Sequence, residues 1–494
     1  MSFIRRILNM KLVALAMLVS CRAVGPNYIR PPDWLPETYT EDEIETETIE
    51  IEGDPSATQR FVMDSNLPEK WWELFNSEPL NELVETSLRQ NPNIAAAQEA
   101  LRVALQNVLA EKGFFYPTIV GSYVPTRQKT SNDLTSPVFS NAFYYCLYTA
   151  QVSVTYTVDV FGAIRRQVES LRAQADSEGL TLEATYLTLT SNVVNAAIME
   201  AGLRGQIAAT KHIIEIESKL LDTYRQLYDL GQVSLSDVTT LEASLAAFEF
   251  TLPPLEKQLG IQRNLLHVLV GHYPSDTLTT KFELDSLQLP TELPLAVPSS
   301  LVEHRPDVRA AEELLHSACA AIGVARANRL PNLTITPSYG WAATSMGDLF
   351  NPGNVFWDIA GNIVQTIFDG GTLKHRECAA WAAYAQAKAQ YRATVLNAFQ
   401  NVADSLQAIR WDAEALRAAE KAEHAAAKSL KIARGQLEAG DISTLVLLTA
   451  EQAYQQALLN LIQTKVNRLS DTVALFQSLG GGWWNRGTLS PYAK

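Results

Sequence analysis

The sequence predicts an α+β fold built from long helices and a few strands, in which one chain alone cannot close its sheet. Three observations predict it. Residues 164–230 and 373–439 hold no proline and carry apolar residues at three- and four-residue spacing, the pattern of long helices. Next to each lie segments that alternate apolar and small polar residues with period two. The same markers recur in the same order in both halves, which reads as an internal tandem duplication.

Along the chain, residues 1–20 read first as a signal peptide. Arg5, Arg6 and Lys11 precede an apolar stretch over residues 12–19, too short to span a bilayer as a helix. The stretch ends in Leu18-Val19-Ser20-Cys21, which resembles a bacterial lipobox, so cleavage before Cys21 leaves a thiol that accepts a diacylglycerol. Arg22 follows the cysteine where an aspartate would favour retention at the inner membrane, so delivery to the outer membrane is expected. A plain secretion signal with an incidental cysteine is the alternative. Residues 21–67 form a lipid-anchored arm. Its acidic stretch over 41–54 has no periodicity and repels itself, as a solvated extended segment does.

Two repeats follow, over residues 68–290 and 291–478, and a glycine-rich tail closes the chain at 479–494. Asn91-Pro92-Asn93-Ile94 opens a helical pattern ending at Tyr116-Pro117, and Arg305-Pro306-Asp307-Val308 opens another ending at Leu330-Pro331, with the same interval between prolines. Gly231-Gln232-Val233-Ser234 leads to Leu241-Glu242-Ala243 as Gly440-Asp441-Ile442-Ser443 leads to Ala450-Glu451-Gln452. Phe161-Gly162 and Phe368-Asp369-Gly370-Gly371 sit between these markers. Each half thus reads helix, strand pair, long helix, tight turn, long helix. Gly231 and Gly440 supply the permissive backbone at the turns.

The strands show which surfaces they separate. Val152, Val154, Tyr156, Val158 and Val160 alternate with Gln151, Ser153, Thr155, Thr157 and Asp159. In the second half Leu333, Ile335, Tyr339 and Trp341 alternate with Thr334, Thr336, Ser338 and Gly340, and Trp357, Ile359 and Ile363 mark a return strand. Residues 118–124 give a weaker first strand, with polar loops expected over 127–141 and 346–354. Apolar side chains outside and small polar ones inside suit a transmembrane barrel, and Phe143, Tyr144, Tyr145 and Tyr148 suit its aromatic girdle. A half-buried sheet in a soluble domain shows the same alternation. Four strands leave edges that hydrocarbon cannot satisfy, so closure needs other copies, and three would give about twelve strands.

Several function classes fall away. A net charge of −14, with basic residues spread out, argues against nucleic-acid binding. No G-x-S-x-G, H-E-x-x-H or P-loop pattern appears, so no enzyme and no cofactor is expected beyond the lipid on Cys21. His316 with Cys319, and His375 with Cys378, each make only half a zinc site, so no metal is expected. His304 lies beside Arg305 and Asp307, but Asp307 reads as an acid at a helix N-terminus.

With these motifs assembled, the chain resembles the outer-membrane factor (TolC-like) family, in its lipoprotein branch serving resistance-nodulation-division efflux pumps. The resemblance rests on Ala23-Val24-Gly25-Pro26-Asn27-Tyr28, Trp71-Trp72-Glu73-Leu74-Phe75, His304-Arg305-Pro306-Asp307-Val308, Ala311-Glu312 and Ile322-Gly323-Val324-Ala325. Ile367-Phe368-Asp369-Gly370-Gly371 and Leu479-Gly480-Gly481-Gly482-Trp483 complete it, so it covers essentially the whole mature chain. It implies a homotrimer with a twelve-stranded transmembrane β-barrel, a long periplasmic α-helical barrel and a mixed equatorial belt. That belt would draw on residues 71–88, residues 284–302 and the tail. The implied role is the exit duct of a tripartite efflux pump, passively passing small molecules such as drugs from an inner-membrane transporter and a periplasmic adaptor. A type I protein-secretion exit channel is the alternative. The resemblance places a gate at the hairpin tips. Leu445 matches an apolar constriction, and Thr449 stands where relatives often carry an aspartate. Asp441 and Asp237 are nearby acids, while Gly231, Ser234, Gly440 and Ser443 mark the tip turns and adaptor docking.

Overall fold

The structure, a computed structural model, describes residues 23–31, 36, 38–40, 47–48, 58–63, 65, 67–131, 133–134, 136–138, 140–277, 280–295 and 298–485. The signal peptide, Cys21, most of the acidic stretch and residues 486–494 of the tail lie outside the described residues.

Each half carries the same order of elements. In the first, β1 (Arg60–Met63) and a 3-10 turn (Trp71–Phe75) lead into helices α1 (Glu78–Gln90) and α2 (Pro92–Lys112). Strands β2 (Thr118–Lys129) and β3 (Tyr144–Val158) follow, then helices α3 (Ala163–Asp229) and α4 (Leu235–Val270). In the second, β4 (Glu292–Leu295), α5 (Pro298–His304) and α6 (Pro306–Ala327) precede strands β5 (Asn332–Ala343) and β6 (Val355–Val364). Helices α7 (Thr372–Glu438) and α8 (Thr444–Ser478) end it. Helices α3 and α7 have 67 residues each, about 100 Å of helix at 1.5 Å per residue. Among the described residues no helix is long and apolar enough to cross a membrane.

The chain divides into two compact units. The first gathers residues 1–31, 100–179 and 310–392 and contains an antiparallel sheet in the order β2-β3-β5-β6. Its register places Ile119 opposite Val154, Val152 opposite Tyr339, Tyr339 opposite Trp357, and Leu333 opposite both Val158 and Ile363. Directly opposed residues of an antiparallel pair share a face, so Ile119, Val152, Val154, Val158, Leu333, Tyr339, Trp357 and Ile363 lie on one side, while Val120, Val124 and Phe356 lie on the other. Ser153, Ser338 and Asp358 are opposed in turn on the other side. Pro337, which has no N–H to give, coincides with a gap in the β3–β5 pairing between Ser153 and Tyr156.

Strands β2 and β3 run further than their composition predicts. Residues 127–129, expected in a loop, pair with Cys146, Tyr145 and Tyr144, and Lys129 Nζ lies 5.2 Å from the Tyr144 ring centre. Cross-strand contact with the aromatic cluster holds these polar residues in the ladder. At its other end β3 stops at Val158, short of Phe161, because Asp159 is committed to the next helix. Its carboxylate accepts from Ile164 N at 3.2 Å and Arg165 N at 3.1 Å. Asp369 does the same for α7, accepting from Gly371 N at 2.8 Å and Leu373 N at 2.7 Å. Those amides hold the Asp369 carboxyl below its ordinary range.

The start of the described chain is clasped in the same unit. Val24 N donates to Phe161 O at 3.0 Å, and Arg166 donates to Val24 O at 3.2 Å and Asn27 Oδ1 at 2.7 Å. Tyr28 stacks on His316 with ring centres 4.5 Å apart, and Arg30 pairs with Glu312 at 3.3 Å. A Cβ on Gly25 would come within 2.5 Å of Gly323 Cα, so only glycine fits this close approach.

The second unit gathers residues 32–99, 180–309 and 393–494. Trp71 and Phe75 pack on Phe476 with ring centres 5.6 and 6.3 Å apart. Trp483 Nε1 donates to His304 O at 2.6 Å, and Trp484 stacks on the His304 ring at 3.9 Å. Gly482 (φ +74°) could carry no side chain, since a Cβ there would lie 2.4 Å from Pro68 O. The segments around Trp71, Leu284 and the tail therefore meet in one unit. Gln288 N donates to Phe75 O at 3.0 Å, and β1 pairs with β4 in a two-stranded parallel sheet in the same unit.

Candidate functional site: the hairpin tips and the seam behind them

Both long hairpins turn in the same way. At the first tip Gly231 (φ +74°) donates to Tyr228 O at 2.8 Å and Gln232 N donates to Leu227 O at 2.9 Å. At the second, Gly440 (φ +78°) donates to Leu437 O at 2.9 Å and Asp441 N to Gln436 O at 2.8 Å. These are paired Schellman closures, with glycine in the left-handed position that satisfies the last carbonyls of each helix.

The restarts differ. Ser234 caps α4 by accepting from Asp237 N at 3.2 Å, and Asp237 Oδ2 accepts from Ser234 N at 3.1 Å and from its hydroxyl at 2.7 Å. Asp237 thus closes a capping box. Ser443 occupies the same place before α8, but its side chain caps nothing and Val446 stands where the capping acid would be. Leu445 is 65% exposed and Val446 49%. Thr449 is exposed and its hydroxyl donates to Leu445 O at 2.9 Å, and Asp441 is exposed within the turn. The second tip therefore presents an apolar pair that the first lacks at the same positions.

Behind the tips the two hairpins meet along a mixed seam. Leu221, Tyr224, Val238, Leu241 and Leu448 form one buried cluster, and Leu430, Ala433 and Leu447 another. Tyr224 OH accepts from Thr444 Oγ1 at 3.2 Å. One helical level further from the tip, Glu217 of α3 and Glu451 of α8 are both buried, and Arg434 of α7 pairs with Glu451 at 3.2 Å. No sequence motif marks this carboxyl pair. Its only signal was the seven-residue spacing of Thr210, Glu217 and Tyr224.

Among the described residues no group of three or more His, Cys, Asp or Glu side chains could hold a metal ion. His316 instead contacts Glu169 at 3.2 Å and Glu313 at 3.4 Å, while Cys319 Sγ lies 3.9 Å from Pro26 O. Asp307 accepts from Arg305 and from Val308 N at 3.0 Å, as an acid opening a helix does.

A four-stranded sheet with a mainly apolar face and edges unpaired within the chain, beside two long helical hairpins, suits a protein of the outer-membrane channel class. The chain belongs to the outer membrane efflux protein family, whose model matches residues 83–272 and 297–481. It is 27% identical over 421 residues to the probable efflux pump outer membrane protein TtgC of Pseudomonas putida, covering 84% of this chain and 86% of that protein. It is 26% identical over 428 residues to the pyoverdine export outer membrane protein OpmQ of Pseudomonas aeruginosa, covering 84% and 87%. The outer-membrane channel OprN is similar in structure, with a TM-score of 0.82 and 26% identity over 93% of this chain and 99% of that one. The Campylobacter jejuni CmeC outer membrane channel shares the fold, with a TM-score of 0.84 at 20% identity, covering 93% and 95%.

Proposed function

We propose that the protein is the outer-membrane exit duct of a tripartite efflux pump. It would pass small molecules passively from an inner-membrane transporter and a periplasmic adaptor to the exterior. The observation that carries this reading is the four-stranded sheet. Its apolar face includes Ile119 and Trp357, both mostly exposed, on the edge strands β2 and β6. Open edges cannot stand in hydrocarbon, because unpaired N–H and C=O groups find no water there. Pairing β2 of one copy with β6 of the next removes every edge, and three copies give a barrel of about twelve strands. The matching order of elements in the two halves supports an origin by duplication. The lipid on Cys21 would anchor each copy, and the tips around Gly231, Ser234, Gly440 and Ser443 would meet the adaptor. Leu445, with Thr449 and Asp441 beside it, would line the constriction.

Native mass spectrometry of the detergent-extracted protein, with planar-bilayer recordings of the same sample, tests this reading. The expected result is the mass of three copies and discrete conductance steps. A monomer that never conducts would overturn it.

A further inference from the structure

Helix α3 turns a polar side chain into its buried seam at three successive heptad positions, Thr210, Glu217 and Tyr224. Glu217 is 1% exposed, and neither of its carboxylate oxygens meets a hydrogen-bond donor among the described residues. It lines a groove of about 290 Å³ together with His212 of its own helix, Lys431 and Arg434 of α7, and Glu451 and Tyr454 of α8. Glu451 is 3% exposed; its Oε1 receives Arg434 at 3.2 Å, and its Oε2 has no donor. An ionised Glu217 would be a buried, unpaired charge beside a second carboxylate, a heavily penalised arrangement. Carrying a proton, it becomes the donor that Glu451 lacks, and the Glu217–Glu451–Arg434 group is neutral overall. A metal cation in place of the proton would face the basic rim of Lys431 and Arg434.

We propose that this carboxyl pair is a proton-linked clasp between the two hairpins: Glu217 holds a proton while the seam is closed and releases it to water when α3 parts from α7 and α8. Burial first, and then the neighbouring Glu451 carboxylate, push the Glu217 carboxyl up to about 9, with Arg434 pulling the other way. A solvated glutamate titrates near 4.5. Between these values the closed seam binds one proton more than the parted seam. Acid therefore favours closure. Each unit of rising pH shifts the balance toward parting by up to about tenfold per copy, and the effect saturates above about 9. The clasp stands on the hairpin geometry alone and would titrate in the same way whatever the duct carries.

Pulsed dipolar spectroscopy on the full-length protein in lipid nanodiscs reads the seam directly. Spin labels at Lys219→Cys on α3 and Ser429→Cys on α7 are placed in a background with Cys146, Cys319 and Cys378 replaced by serine. The short-distance population should dominate at pH 5 and give way to a longer one toward pH 10. Glu217→Gln keeps an N–H donor for Glu451 but has no proton to lose, so it should stay at the short distance throughout. His212→Gln should follow the curve of the labelled parent. A parent distance indifferent to pH, a Glu217→Gln protein that follows the parent, or a His212→Gln protein that loses the curve would each overturn the clasp.

Discussion

Leu445 is a large apolar side chain left mostly to water one residue after Thr444, which is buried. The buried stripe of α8 runs through Leu447, Leu448 and Glu451, and Leu445 points off it. In the proposed trimer such a residue would be repeated three times at the axis, where an apolar ring would be a barrier to water and ions. Leu445→Ser is therefore expected to raise single-channel conductance in planar bilayers. Thr449→Asp should strengthen cation preference, most of all at low salt where screening is weak. Unchanged conductance in assembled Leu445→Ser channels would show that Leu445 packs between copies instead. At this scale the sequence was legible where a residue's job is local. Gly231, Gly440 and Ser234 could be read from turn and cap chemistry alone. Glu217 could not, since a glutamate in an alanine-rich helix ordinarily marks the wet face, and its burial depends on a helix far away in sequence.

At the scale of elements, β3 makes the sharpest test. Cysteines placed singly along it, in a background without the other three, should alternate in reactivity toward water-soluble thiol reagents. Positions 153 and 155 should react, and 152 and 154 should not. Val154→Arg should cost roughly 2–4 kcal/mol if it lies near the bilayer midplane. Uniform reactivity would remove β3 from the membrane. The strand cores were readable because alternation is a local signal, whereas their ends were not. Residues 127–129 look like a loop until Tyr144, Tyr145 and Cys146 are set opposite them. The pairing of Arg60–Met63 with Glu292–Leu295 was invisible. Each strand has four residues, too few to show a period, and the partner lies in the other half of the chain.

For the whole molecule, the long helices, strand pairs and tight turns were all foreseeable, because repetition in two halves gives every weak motif a second reading. Targeting is the remaining test. Metabolic palmitate labelling should mark the native protein and not Cys21→Ser, and equal labelling of both would remove the lipid. The chain over residues 23–30 is pinned tightly against the start of α3. Ala23 is seated so close to Gly162 that a Cβ there would lie 2.4 Å from its own, and Val24 is tied to Phe161. Two residues of chain reach at most about 7 Å. Any acyl chains that the Cys21 thiol accepts would therefore be held on a very short leash from Ala23, which sits beside the junction where β3 gives way to α3. Such a leash would act as a depth gauge: it would fix the level of the inner lipid leaflet against the sheet, and an insertion between Cys21 and Ala23 would let that level slip.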